Sequence, residues 1–148
     1  YNLAGDYENN LPERHLTSAG LDCSGLHGVH LKFRRWLGVE QPQYDHAAVR
    51  VSTDGMSWTT VWQNTAEVAD TSWVDVDLDI SAVADDQPTV YLRWTMGATD
   101  SAWTYCGWNI DDVEVWGVQE GSEPPLFADG FETGDWTGWS VVVGQLAR

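Results

Sequence analysis

Trp73-Val74-Asp75-Val76-Asp77-Leu78-Asp79-Ile80 changes character at every step. Successive side chains on a pleated strand point to opposite faces. The period of two therefore puts Val74, Val76, Leu78 and Ile80 on one side and Trp73, Asp75, Asp77 and Asp79 on the other. This predicts a strand with one buried aliphatic face and one solvated acidic face, as in an antiparallel sheet covered on a single side.

The same period extends outward from this segment. In His30–Leu37, Leu31, Phe33 and Arg35 share one face, and Lys32, Arg34 and Trp36 share the other. In Thr89–Met96, Val90, Leu92 and Trp94 oppose Tyr91, Arg93 and Thr95. Val49–Ser52 and Ser57–Trp62 flank Thr53-Asp54-Gly55, and Asp-Gly between such runs signals a hairpin. Asn109–Trp116 is the last strand. No useful length shows a helical period, although Ile80–Ala84 has room for one turn. Short strands divided by Gly, Asp, Asn and Pro clusters predict an all-β fold, an antiparallel sandwich or barrel. With ten tryptophans in the chain, Trp58, Trp62 and Trp94 are expected in the core.

The strands fit one module over residues 1–118. A linker at 119–126 follows, in which Gln119–Pro125 has no apolar residue and two prolines. Residues 127–148 are too short for a domain, and read as a tail packed on the module or the start of another. The sequence begins at Tyr1 without signal-peptide character, as a module of a longer chain would.

The formal net charge is -16, from 23 acids against 7 bases in 148 residues. Nucleic acid and anionic membrane surfaces both require Lys and Arg to replace counterions, so neither is an expected partner. No apolar stretch is long enough to span a bilayer. Divalent cations, neutral ligands and a salty extracellular medium all suit the charge.

Two acidic groups point to a cation. Asp111 and Asp112 are neighbours on the last strand, so regular alternation would turn one of them toward the interior or the sheet rim. A carboxylate there needs a partner, such as Ca2+ or loop amides. Gly5–Asn10 offers Asp6, Glu8, Asn9 and Asn10 in one turn, and adding Asp111 or Asp112 would complete a Ca2+ site. The alternative for that turn is a set of Asx turns. Asp129, Glu132 and Asp135 do not have EF-hand spacing.

Cys23 and Cys106 each sit at a strand end. A disulfide between them would close a ~80-residue loop and stabilise by about 4 kcal/mol. Two buried free thiols are the other reading.

Catalysis is not expected. His27 and His30 lack a helical zinc motif, and His15 and His46 stand alone. Ser18, Ser24 and Ser52 have no nucleophile-elbow context, and Cys106 has no evident base.

Several motifs occur in a set order: Leu16-Thr17-Ser18, Leu21-Asp22-Cys23-Ser24-Gly25-Leu26, Val29-His30-Leu31-Lys32-Phe33, the Tyr44–Gly55 run, Leu78-Asp79-Ile80-Ser81-Ala82, Val90-Tyr91-Leu92-Arg93-Trp94 and Gly107-Trp108-Asn109-Ile110-Asp111-Asp112-Val113. Over about residues 5–117 this resembles the MAM-like jelly-roll modules of secreted bacterial proteins, including those that trail immune-inhibitor-A-type metalloproteases. The tail's Asp129-Gly130-Phe131-Glu132-Thr133-Gly134-Asp135 resembles a segment near the C-termini of many exported bacterial proteins. The resemblance implies a secreted, non-catalytic jelly-roll or galactose-binding-like sandwich with a structural Ca2+ or Na+. Carried over by position, its ligands would be Asp45, Asp111, its neighbour Asp112, and the first loop with Asp6, Glu8 and Asn10.

Binding is the expected role. Aromatic rings stack on sugar faces while acids and amides bond the hydroxyls. Loop rings Tyr44, Trp103 and Tyr105, with Arg34 and Trp36, are the candidates for a polysaccharide or other glycan ligand. The competing expectation is protein docking, on the parent catalytic domain of the same chain or on a surface partner.

Overall fold

The computed structural model describes residues 5–119. The tail and the linker, apart from Gln119, lie outside the described residues. The elements are β1 (Arg14–Thr17), β2 (Leu26–Val39), β3 (Ala47–Ser52), β4 (Thr59–Gln63), β5 (Val68–Ala69), β6 (Val74–Asp79), the single turn α1 (Ser81–Ala84), β7 (Tyr91–Met96) and β8 (Gly107–Gln119). One sheet has the order β1-β7-β3-β4. In the other, β2 lies between β8 on one side and β6 and β5 on the other. All pairings are antiparallel, and the two sheets pack as the predicted sandwich rather than a closed barrel.

Alternation builds the interior. Val29, Leu31 and Phe33 of β2 meet Val49 and Val51 of β3 and Leu92 and Trp94 of β7, with Val76 and Leu78 of β6 packed alongside. The Phe33 and Trp94 rings stand edge to face at 5.5 Å. A smaller cluster of Tyr7, Leu37, Val39, Ala47 and Met96 closes one end of the sandwich. Trp94 is buried as expected, and Trp62 is partly buried against Trp108. Trp58 departs from expectation: it lies only half-buried, with the Arg93 guanidinium 3.6 Å from its ring centroid. Arg93 alternates with the inward Leu92 and Trp94, so that pair decorates the outside of its sheet.

The outer face of the second sheet carries three columns in register. Trp73, Asp75, Asp77 and Asp79 border Trp36, Arg34, Lys32 and His30 of β2, and Asn109, Asp111, Glu114 and Trp116 of β8 lie on the other side. The β2 cations are thus flanked by acids on both sides. Arg34 Nε donates to Asp75 at 3.1 Å, Lys32 Nζ is 3.4 Å from Asp77, and His30 Nδ1 is 2.6 Å from Asp77. Opposite-charge pairs across strands each contribute roughly 0.2–1 kcal/mol, which favours this register over a one-residue slip.

The Asp111-Asp112 expectation is corrected here. Both residues are exposed, and neither turns inward. Lys32 pairs with Glu114 and Arg34 with Asp111, so two residues of β8 oppose the single Phe33 of β2. This β-bulge breaks the strict alternation. Asp112 takes the left-handed conformation with φ 49°, and its N–H donates to Asp111 Oδ1 at 2.9 Å. The chain thereby places two adjacent carboxylates in water without a buried charge.

Cys23 and Cys106 are free thiols. The carbonyl of Cys23 accepts from Leu26 N–H at the start of β2, whereas Cys106 lies against Gly38 near its end. Those positions lie most of the 14-residue strand apart, well beyond the roughly 7 Å that a disulfide tolerates between Cα atoms. Burial is the main cause raising both thiol pKa values.

A left-handed aspartate costs about 1 kcal/mol that glycine does not incur. Asp112→Gly should therefore be neutral or stabilising by up to about that amount in urea unfolding, and Asp112→Val should destabilise by at least as much. A loss with the glycine variant equal to that with valine would contradict the bulge.

Candidate metal centre

β2 ends in the buried run Leu37-Gly38-Val39, buried Glu40 follows directly, and the next six residues turn the chain into β3. Tyr44 and Asp45 N–H groups both donate to Gln41 O, which winds the turn. Asn64, just past β4, fastens its two ends. Its Nδ2 donates to the carbonyls of Glu40 and Asp45, each at 3.0 Å, and its Oδ1 accepts from Ala47 N–H at 2.9 Å. With Asn64 itself buried, these bonds fix the backbone from which the Glu40 and Asp45 side chains project.

The third acid comes from the β7–β8 loop. Asp100 N–H donates to Asp45 Oδ1 at 2.9 Å, which draws its own carboxylate alongside. Oxygens of Glu40, Asp45 and Asp100 lie within 4.8 Å of one another. Asp45 is fully buried, Glu40 is 9% exposed and Asp100 is partly exposed.

The N-terminal segment closes the site. Tyr7 is buried in the smaller core cluster; its hydroxyl donates to Asp45 Oδ2 and accepts from Glu40 N–H at 3.4 Å. Tyr7 N–H donates to Tyr105 O, Asn10 N–H to Asp100 O, and the Thr99 hydroxyl to Glu8 O. Gly97 lets the two segments approach: a Cβ there would sit 2.9 Å from Pro12 O and 3.0 Å from Leu11 O, and its φ is +96°.

One oxygen of this site stands out. Glu40 Oε2 is buried and has no hydrogen-bond partner among the described residues. Burial, then the charges of Asp100, Asp45 and Glu67, hold the Glu40 carboxyl above the usual glutamate range. The Tyr7 phenol is pushed far above its ordinary value, first by burial and then by its bond to Asp45. A buried ionised carboxylate without a partner is costly, and close like charges add to that cost. A hard cation relieves both. The donor set contains only oxygen and carries three negative charges when ionised, which suits Ca2+ or Mg2+ over metals that prefer nitrogen or sulfur. The residues thus fit a cation. Glu40, Asp45 and Asp100 would hold it, and its contribution would be charge neutralisation and cross-linking of two loops.

The residues predicted from sequence divide among several places. Asp45 belongs to the centre. Asp6, Glu8 and Asn10 are exposed, and Glu8 and Asn10 bond to the β7–β8 loop through their main-chain atoms. Asp111 and Asp112 are on the β8 bulge with Arg34, whose Nη1 is 3.9 Å from Asp112, and they take no part in the acidic group. Tyr44 and Trp103 are exposed on the two loops that supply the acids. Tyr105 is half-buried in the same region, whereas Arg34 and Trp36 are on the outer face of the second sheet. Glu40 and Asp100 escaped the sequence reading. The available signal was an acid placed directly after the apolar end of β2.

The remaining histidines are engaged locally. His15 Nδ1 is 3.2 Å from the Thr95 hydroxyl, and His46 Nδ1 is 3.2 Å from Ala98 O. No helix among the described residues is long and apolar enough to cross a membrane. No protein-family model matches the chain, and no curated protein matches it.

A carboxyl whose folded pKa is raised binds its proton more tightly in the native state, so stability falls as pH rises from its ordinary value of 4.5 toward the folded value. In chelator at neutral pH, Glu40→Gln should therefore melt above the wild type. The gap should close as pH drops below 4.5, where both proteins present a neutral side chain. A variant that melts below the wild type in chelator at neutral pH would show that ionised Glu40 is satisfied without a cation.

Proposed function

We propose that this protein is a non-catalytic, Ca2+-stabilised β-sandwich module of a secreted bacterial hydrolase, and that it binds extracellular carbohydrate. The observation that carries the cation half is the buried, unpartnered Glu40 Oε2 beside Asp45 and Asp100. A site that joins the N-terminal segment, the β2–β3 loop and the β7–β8 loop is structural in character, because the two Asp45 oxygens at its centre already tie those segments together. Ca2+ is favoured over Mg2+ because three carboxylates brought together from separate loops suit its larger, less regular shell better than an octahedral Mg2+ cage. The MAM-like resemblance supports the same reading through Asp45, and the net charge of -16 favours a neutral ligand over a polyanion.

Docking on the parent catalytic domain is the second reading. Edge strand β8 favours it, with Val113, Trp116 and Val118 all about half exposed.

Ca2+ that binds only the native state stabilises by about 2.7 kcal/mol at one hundred times its Kd, which corresponds to roughly 10 °C for a domain of this size. A thermal melt should rise by that order on moving from chelator to Ca2+. Asp45→Asn should abolish most of the rise, and Asp111→Ala should preserve it. No Ca2+ response in the wild type would remove the cation from this reading. Loss of the response in Asp111→Ala alone would return the site to the last strand.

A further inference from the structure

We infer that the outer face of the second sheet, along β2 between Trp36 and the register position of Trp116, is the surface that takes an extended, neutral polysaccharide. This inference rests on the carbohydrate reading and assigns that reading a location. Trp36 and Trp73 are each more than one-third exposed, and their rings meet edge to face at 6.3 Å, so they form one exposed aromatic pair at this end of the row. Trp116 is 58% exposed at the other end of the row, paired in register with His30. Six residue steps separate His30 from Trp36, which is about 20 Å of strand. That span suits several linked sugar rings rather than a single one.

The charges between the rings select the chemistry. Lys32 and Arg34 are already compensated by Asp77 and Asp75, and Trp116 Nε1 donates to Glu114 at 2.7 Å. The acids flanking β2 outnumber its cations, so the face repels carboxylated or sulfated chains. It still offers carboxylate acceptors and cationic donors to hydroxyl groups. Rings at both ends with paired donors and acceptors between them complement a polyhydroxylated neutral chain. Trp36 is on β2, which is paired in register on both sides, and Trp73 packs against it, so little ordering of these two rings is required on binding.

Affinity electrophoresis in native gels containing mixed-linkage β-glucan, arabinoxylan, galactomannan or alginate tests this. The wild type should be retarded by at least one of the three neutral polymers and not by alginate. Trp36→Ala and Trp73→Ala should each weaken that retardation about tenfold, in line with one lost stacking contact. Trp58→Ala, on the opposite sheet, should leave it unchanged. An unaltered Ca2+ shift in the melt would show that each variant is folded. Retention of binding in Trp36→Ala and Trp73→Ala, with loss in Trp103→Ala, would overturn this location and leave the carbohydrate reading intact. No retardation of the wild type by any neutral polymer would overturn both. Retardation by alginate alone would overturn the charge argument and with it the proposed face.

Discussion

The buried carboxylate of Asp45 is the constraint from which the organisation of one end of this sandwich follows. Its two oxygens receive the Tyr7 hydroxyl and the Asp100 amide, so a single side chain joins the N-terminal segment, the β2–β3 loop and the β7–β8 loop. A fully buried acid needs strong donors, and it has two. That arrangement brings Glu40 and Asp100 close enough to repel, and it leaves Glu40 Oε2 without a donor. Hydrogen bonding satisfies Asp45 but not the group as a whole. A cation bound there would neutralise the repulsion and give Glu40 Oε2 a partner.

The two ends and two faces of the molecule do different work. The sandwich interior is aliphatic and aromatic, built by the period of two. The acid centre lies beside the smaller core cluster, in the loops. The outer face of the second sheet carries a ladder of opposite charges bounded by tryptophans. These regions share β2, which contributes Phe33 to the interior, Arg34 and Trp36 to the outer face, and the chain leading into Glu40. Under the proposed function, binding on the outer face would thus proceed on a strand that leads into the proposed cation site.

Much of the fold was legible because burial imposes alternation. Trp73–Ile80 and Thr89–Met96 read correctly because each has one face against the core. Strand β1 was not legible, since Arg14–Thr17 is exposed along its whole length and buries no apolar side chain to generate a pattern. The bulge in β8 was hidden for a related reason. An aspartate with φ 49°, where glycine is the usual signal, gives no warning that the register shifts. At the site, Asp45 emerged from its place after Tyr44 in a motif, whereas Glu40 and Asp100 are two acids among 23 and are brought together only by the tertiary fold. Proximity across loops has no sequence period.

The most direct test of the central claim is an anomalous difference map from crystals grown in Ca2+. One strong peak is expected, coordinated by Glu40, Asp45 and Asp100 at oxygen distances of about 2.3–2.6 Å. A peak at Asp111 and Asp112 instead, or a Glu40 carboxyl bonded only to water with no peak nearby, would contradict it.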